Sequence, residues 1–206
     1  MKRCNLEEIW QKLNCLLPVY DENGGNITEL HLEDGSVKTD QRRMASVLKA
    51  LAKLFAVDIE AARKNYSRLV GRKNSMPIPL HRDLVLVPVK ARKPLGREDG
   101  AWGYLVMAKV LAYEKHPEIE NATRVVFESG QSLDVLQLPQ SVKAIMDDAK
   151  MIRNAYTRLH LVAADWDDDM LKEAACFYVL VPYTQKGKIK GFVGDTSPVL
   201  TNLKYG

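Results

Sequence analysis

Two helical patterns joined by a tight turn, set inside an otherwise strand-rich chain, constrain the fold most strongly. Over residues 41–55, apolar side chains recur at spacings of three and four, which places them on one face of a helix. Asp40 can cap the start of that helix, and Asp58 can cap a second one that runs to Leu69. Gly71 then supplies a stop, because glycine tolerates a left-handed backbone without steric cost. The spacing therefore predicts two consecutive amphipathic helices.

The segments on either side of the helix pair have the composition of strands. Residues 15–20 and 27–32 flank the polar turn 21–25, which has the residues that a hairpin loop needs. Pro88 lies inside a later run and indicates an edge strand or a bulge, because proline cannot donate a hydrogen bond to a neighbouring strand. Further strands are predicted at 84–92, 104–114, 123–128 and 132–138, and further helices at 6–13 and 140–155.

These elements predict the α+β class. We expect a single domain with a mixed or mostly antiparallel sheet, an inserted amphipathic helix pair and a later helix that packs on the sheet. The later helix, 140–155, should turn five apolar residues inward: Val142, Ile145, Met146, Ala149 and Ile152. Residues 157–206 are expected to form a C-terminal extension of unknown role, packed on the same domain, with strands at 159–163 and 176–182.

Composition argues against a membrane or disulfide-rich protein. The longest uninterrupted apolar run spans about ten residues, 174–183, which is too short to cross a bilayer. The N terminus has no apolar stretch typical of a signal peptide. The cysteines, Cys4, Cys15 and Cys176, are odd in number and widely separated, so neither a disulfide framework nor a zinc site is indicated. We therefore expect a cytoplasmic protein without a membrane partner.

Motifs for catalysis are missing from the sequence. The four histidines are dispersed, and none has a Cys, Asp or His partner at metal-ligand spacing. The chain has no G-x-S-x-G, no Walker loop and no G-x-G-x-x-G. The acidic run 165–169 is better explained by capping of a following helix than by binding of a hard cation. We expect no enzyme activity, no cofactor and no metal.

The distribution of charge points to a polyanionic partner. Residues 42–97 contain fourteen Lys and Arg but three acidic residues, a net charge of +11, whereas the whole chain carries +4. Such asymmetry is expected of a protein that meets nucleic acid with one face and water with the others. Double-stranded DNA is therefore the predicted partner.

Two surfaces within this segment are candidates for DNA contact. Residues 51–69 resemble a helix-turn-helix, although Ala56 stands where glycine is preferred and Ile59 where an exposed polar residue is expected; the helices either enter a groove or only pack. The basic loop after the run 84–92 suits the narrow minor groove of A·T-rich DNA. The predicted contact residues are Arg63, Lys64, Arg68, Arg72, Lys73, Lys90, Arg92, Lys93 and Arg97.

Four short motifs follow one another between residues 66 and 133. They are Tyr66 with Gly71-Arg72-Lys73, the strand 84–88, Trp102 after a glycine-containing loop, and the hairpin segment 123–133. In order and spacing they resemble the Y-x-G-R-K, F-P-T, C-G-W and T-x-V-x-F-x-N-G-x-x-L motifs of the ComK family of competence transcription factors. The resemblance covers about residues 15–156 in fragments. Ala101 replaces the family's cysteine, and Val89 replaces the threonine that follows proline.

The resemblance implies a bacterial transcriptional activator of a low-GC Gram-positive organism. Such a protein would bind A/T-rich promoter boxes as a multimer, largely from the minor groove, with residues 1–156 as its DNA-binding region. LytTR-type DNA-binding domains have a similar arrangement of strands and basic loops and are the nearest alternative within the same function.

A different class of function remains open beside DNA binding. The residues beyond Thr157 match none of these motifs and combine the apolar segment 177–181 with a basic hairpin around Lys186. These features also suit an adaptor or regulatory protein that binds an acidic protein partner without DNA.

Overall fold

The computed structural model describes residues 3–96 and 99–161 of the 206-residue chain, all of them within one compact unit, Met1–Ala164. Its helices are α1 (Leu6–Ile9), α2 (Met44–Leu54), α3 (Ile59–Val70) and α4 (Pro139–Leu161), and a 3-10 turn, Trp10–Lys12, follows α1. The strands are β1 (Leu13–Tyr20), β2 (Asn26–Leu32), β3 (Val37–Asp40), β4 (Ile78–His81), β5 (Leu84–Lys90), β6 (Trp102–Val106), β7 (Val110–Lys115), β8 (Thr123–Phe127) and β9 (Ser132–Val135).

The strands form two antiparallel sheets, so the α+β class is confirmed. Six strands lie in the order β3-β2-β1-β6-β5-β4, and three more in the order β7-β8-β9. The β1–β2 and β8–β9 hairpins have the predicted polar turns. The expected single sheet is thus two sheets among the described residues, and every pairing in them is antiparallel.

The six-stranded sheet is covered on both faces. On one face, Leu16 and Leu86 pack with Val47 and Leu51 of α2. On the other face, Val87 packs with the β7–β9 sheet and α4. The apolar side chains buried between the second face and α4 include all five residues predicted to point inward: Val142, Ile145, Met146, Ala149 and Ile152. Alternation along the strands therefore supplies two cores, one on each side of the central sheet.

The helix pair forms where the pattern predicts it. The Asp58 carboxylate accepts hydrogen bonds from the backbone N–H groups of Glu60 and Ala61, and Gly71 ends α3 with φ 68°. Ala56, in the glycine-preferring position of the turn, has φ 54°. In the described part of the chain no residue of α3 is fully buried, and Leu69 near its end is 45% exposed. α3 therefore packs against α4 and β4 through half-buried side chains.

Several predicted boundaries are wrong, for local reasons. The run 104–114 is not one strand: a 3-10 turn at Met107–Lys109 divides it into β6 and β7, which belong to different sheets. Met107 is buried in the core beneath α4, which redirects the chain at that point. The strands β3 and β4, each of four residues, were not predicted, because so short a run carries little periodicity.

Two other sequence interpretations also change. Asp40 does not cap α2: its carboxylate binds Arg42 and the backbone N–H of Cys4, and α2 begins without a side-chain cap. The predicted strand 159–163 is helical over residues 159–161, because α4 continues to Leu161; residues 162–163 lie outside the described part. The predicted strand 176–182, the acidic run and the basic hairpin also lie outside it.

The prediction of an edge strand or a bulge at Pro88 is wrong, because β5 is an inner strand whose pairing with β6 has no bulge there. β5 lies between β6 and β4, but β4 pairs with β5 only as far as Leu86. The backbone N–H of Lys90, two residues on, points away from β6 and donates to Gln137. The proline nitrogen faces the same side, where β5 has no neighbouring strand in the described structure, so no ladder hydrogen bond is lost.

Candidate nucleic-acid interface

A cleft of about 750 Å³ opens where α2, the turn after it and α3 face the start of β6. Its apolar lining includes Leu48 and Ala52 of α2 and Ile59 of α3. Lys49 and Lys53, one helical turn apart on α2, form part of its wall. The two helices therefore do not close on each other along their length but leave an accessible space between them.

A smaller cavity of about 200 Å³ continues the cleft along the sheet. Both are lined by Arg63, Trp102 and Tyr104, and the smaller one adds Lys73 and Pro88. The two spaces therefore adjoin at these three residues, and together they extend from α2 to the loop after α3.

The pairing of β5 with β6 places Lys90 on the same face of the sheet as these two cavities. In the β5–β6 ladder Lys90 lies opposite Trp102, and residues directly opposite each other project from the same face of a sheet. We define the basic groove by its five cationic side chains and two aromatic ones: Lys49, Lys53, Arg63, Lys73, Lys90, Trp102 and Tyr104.

The charge of the basic groove is positive and largely unneutralised. All five cations are exposed, and none forms an ion pair with another described residue. Two acids, Asp58 and Glu60, also line the cleft. The Asp58 carboxylate already binds two backbone N–H groups at the start of α3, at 2.8 and 3.0 Å. The excess of cations makes the groove a place where an anion is stabilised.

The aromatic pair forms the floor of the basic groove. Trp102 is 39% exposed, and no other aromatic ring in the described ranges stacks on it. Tyr104 is buried, and burial raises its pKa although the positive charge of Arg63 opposes the rise. The pair thus combines a solvent-exposed indole with a buried phenol, and both rings line both cavities together with Arg63.

Gly103, between the two aromatic residues, lets β6 lie close to β1. A Cβ atom at this position would stand 2.8 Å from the carbonyl oxygen of Leu16 and 3.1 Å from the Cβ of Ala91. Only glycine fits there without movement of the backbone. Because Gly103 has no side chain, β6 can lie this close to β1. That position of β6 in turn sets where Trp102 and Tyr104 lie on its other face.

The structure brings together three of the nine predicted contact residues, Arg63, Lys73 and Lys90. Lys64 and Arg68 are exposed on α3 but do not line the groove. Arg72 forms an ion pair with Asp148 of α4, with the Nε–Oδ2 distance at 2.7 Å. Arg97 lies outside the described residues.

Arg92 and Lys93 lie on the loop after β5. The Arg92 guanidinium stacks 3.9 Å from the centre of the Tyr20 ring, its Nε donates to the Gly100 carbonyl at 2.9 Å, and its Nη2 donates to the Asn26 side chain. These contacts hold the loop on the β1–β2 hairpin. Lys93 is exposed beside it. The basic segment thus divides between internal contacts and open surface.

Lys49, Lys53 and the two aromatic residues were not among the predicted contacts. The two lysines carried a signal, since their spacing of four places them on one face of α2, opposite its apolar face. Trp102 was identified only as a motif residue, and Tyr104 carried no signal, because a strand pattern does not show which helix covers which face of the sheet.

Reactive groups elsewhere in the described residues have structural roles. Burial raises the pKa of the Cys15 thiol to about 12, with Glu29 adding to the effect, so this thiol stays protonated. His116 is buried and accepts hydrogen bonds at Nδ1 from the backbone N–H groups of Glu118 and Ile119, while Nε2 contacts Asp134. Within residues 3–96 and 99–161, no three His, Cys, Asp or Glu side chains converge as metal ligands.

None of the described helices is long and apolar enough to cross a membrane. Comparison of the chain with protein-family models, curated proteins and solved structures gave no match.

Proposed function

We propose that this protein is a DNA-binding transcriptional regulator that contacts the sugar–phosphate backbone of double-stranded DNA through the basic groove. The observation that carries the proposal is the convergence of five exposed cations without ion-pair partners from α2, α3, the loop after α3 and β5. Phosphate contacts of this kind supply most of the affinity in protein–DNA complexes, because each one releases condensed counterions.

The surface beside the groove extends the same chemistry. Lys64 and Arg68 are exposed on α3, next to Arg63, and add two cations outside the groove. α3 would approach the duplex with its basic face, while Lys49 and Lys53 of α2 would contact phosphates on the other side of the cleft. Since the cleft separates α2 from α3, this differs from a helix-turn-helix that inserts only its second helix into the major groove.

The resemblance to the ComK family supports the same proposal. Of the residues that carry it, Lys73 and Trp102 lie in the basic groove, and Arg72 precedes Lys73 in the same loop. An activator that recognises A/T-rich promoter boxes as a homo-oligomer, in the bacterial cytoplasm, is the specific form of the proposal. No enzymatic step and no cofactor belong to it.

The direct test compares a groove variant with a matched control of equal charge change. Lys49→Gln/Lys53→Gln removes two groove cations, while Lys38→Gln/Lys115→Gln removes two exposed lysines from β3 and β7. Binding of an A/T-rich promoter duplex is measured by fluorescence anisotropy at low salt. We expect the groove variant to bind at least about tenfold more weakly and the control about as tightly as the natural chain. Equal loss in the two variants, or no complex with any duplex, contradicts the proposal.

An adaptor that binds an acidic protein is the second candidate. Its first support, the apolar and basic segments beyond Thr157, lies mostly outside the described residues, but the apolar lining of the cleft next to Lys49 and Lys53 also suits an acidic peptide with apolar anchors. Purification at low salt separates the two: nucleic acid carried with the protein supports DNA binding, and a stoichiometric protein partner supports the adaptor.

A further inference from the structure

We propose that the cleft of the basic groove is a pocket for one unstacked DNA base, which stacks on Trp102 while its flanking phosphates contact the surrounding cations. This inference rests on the proposed DNA binding and adds to it a preference for DNA that contains an unpaired nucleotide.

The cleft is large enough to admit a base, and part of its lining is apolar. Its volume of about 750 Å³ falls in the range of pockets that enclose small organic ligands. The lining is apolar over Leu48, Ala52 and Ile59, which suits the face of a planar ring. A phosphate backbone alone gains nothing from such a surface, so cations explain only the rim of the cleft.

Trp102 supplies the stacking platform. Its indole is 39% exposed, lines both cavities and has no ring partner among the described residues. By contrast Trp10 packs edge-on against Phe55 and His81, with ring centres 5.0 and 5.3 Å away, and is occupied structurally. Exposed aromatic rings set among cations are the usual platforms for bases of single-stranded nucleic acid.

The polar groups lie where the rest of a nucleotide would be. Arg63 lines both cavities, and Lys73 lines the smaller one. Lys49 and Lys53 stand on the opposite side of the cleft. A nucleotide stacked on Trp102 would therefore have a cation available on each side for its 5′ and 3′ phosphates.

The duplex must open for a base to enter. A base inside B-form DNA is stacked on both faces, so its extrusion costs free energy, and the cost is lowest where the base is already unpaired. The pocket therefore predicts tighter binding to a duplex with a single-base bulge, and to single strands, than to the fully paired duplex of the same sequence.

The test uses the full chain and three DNAs of about 16 nucleotides: a paired duplex, the same duplex with one bulged base, and one of its strands. The variants are Trp102→Ala and Trp102→Phe, with Trp10→Phe as the control that changes a packed tryptophan. We expect Trp102→Ala to weaken binding of the bulged and single-stranded DNAs by about 5- to 100-fold and the paired duplex by less than about twofold. Trp102→Phe should retain most of the affinity, because a smaller ring still stacks.

Tryptophan fluorescence gives a second measurement, which would not change if Trp102 had only a structural role. Binding of bulged DNA should quench tryptophan emission in Trp10→Phe as in the natural chain, and this quenching should be lost in Trp102→Phe. Equal effects of Trp102→Ala on all three DNAs, or unchanged quenching in Trp102→Phe, overturn the pocket. If paired duplex still binds and remains sensitive to Lys49→Gln/Lys53→Gln, the proposed function stands without it; if no DNA binds at all, both fail.

Discussion

Replacement of Asp40 by asparagine should strongly destabilise the protein, because this one carboxylate has several buried partners. The Asp40 side chain is fully buried and accepts four hydrogen bonds: from Nε, Nη2 and the backbone N–H of Arg42, at 2.8, 2.6 and 2.9 Å, and from the backbone N–H of Cys4 at 3.0 Å. The contact therefore ties the N-terminal segment to the junction between β3 and α2, the helix that carries Lys49 and Lys53.

The magnitude follows from the groups left behind. Asp40→Asn keeps the shape, but its amide presents N–H donors where the carboxylate accepted, and Arg42, which is 18% exposed, loses its counter-charge. Removal of one partner from a buried ion pair costs about 3–5 kcal/mol. Because Arg42 retains partial contact with water, we expect about 2–4 kcal/mol.

The dependence on pH has a definite sign. Burial disfavours the charged form of Asp40, but the hydrogen bonds from Arg42 and Cys4 outweigh it and lower its pKa. Because the pKa of Asp40 is lower in the folded state, its contribution to the free energy of unfolding is fully present above the unfolded-state pKa of about 3.9. That contribution is lost as the pH falls through the folded-state pKa. The difference in free energy of unfolding between the natural chain and Asp40→Asn should therefore shrink below about pH 4.

Urea denaturation at pH 7, at pH 5 and near pH 3 measures this difference. Asp83→Asn is the control, since Asp83 is about half exposed and its ion pair with Arg82 lies at the surface, so its loss should cost less than about 1 kcal/mol. A cost for Asp40→Asn below about 1 kcal/mol at pH 7, or a difference that grows in acid, would refute the reasoning.

Three smaller predictions concern the elements that shape the groove. Ala56→Gly should raise the free energy of unfolding, measured in urea, by about 0.5–1 kcal/mol, because it removes the strain of alanine at φ 54°. The greater entropy of glycine in the unfolded chain offsets only part of this gain, and a loss of stability would contradict the prediction. Asp58→Ala should cost about 1 kcal/mol and speed hydrogen exchange of α3 amides ahead of those in α4; uniform acceleration would count against a local cap. Gly103→Ala should cost about 1–3 kcal/mol, since its Cβ would stand 2.8 Å from the Leu16 carbonyl oxygen; unchanged thermal unfolding would show that β6 shifts freely.

Local chemistry made part of the fold predictable from the sequence. The spacing of apolar residues gave α2 and the inward face of α4, and the Asp58 cap and Gly71 stop were placed correctly because each depends on a few neighbouring atoms. Partner choice was not predictable. Asp40 has the residue type of a helix cap, yet its carboxylate finds a stronger donor in Arg42.

Contacts between elements that are distant in sequence could not be predicted from the residue pattern. Nothing in the alternation of the run 104–114 shows that Met107 would turn the chain from one sheet into the other. Likewise, net charge identified the basic segment, but it could not distinguish Lys73, which lines the groove, from Arg92, whose guanidinium stacks on the Tyr20 ring. A cation's role depends on which elements meet around it, and those contacts are distant in sequence.

The salt dependence of duplex binding tests the central claim most directly. If the five groove cations contact phosphates, log Kobs should fall linearly with log salt concentration with a slope of about −3 to −5, at about −0.9 per phosphate. The Lys49→Gln/Lys53→Gln variant should reduce the magnitude of that slope by about 2, whereas Lys38→Gln/Lys115→Gln should leave it unchanged. A slope near zero, or the same slope in both variants, would contradict binding through the basic groove.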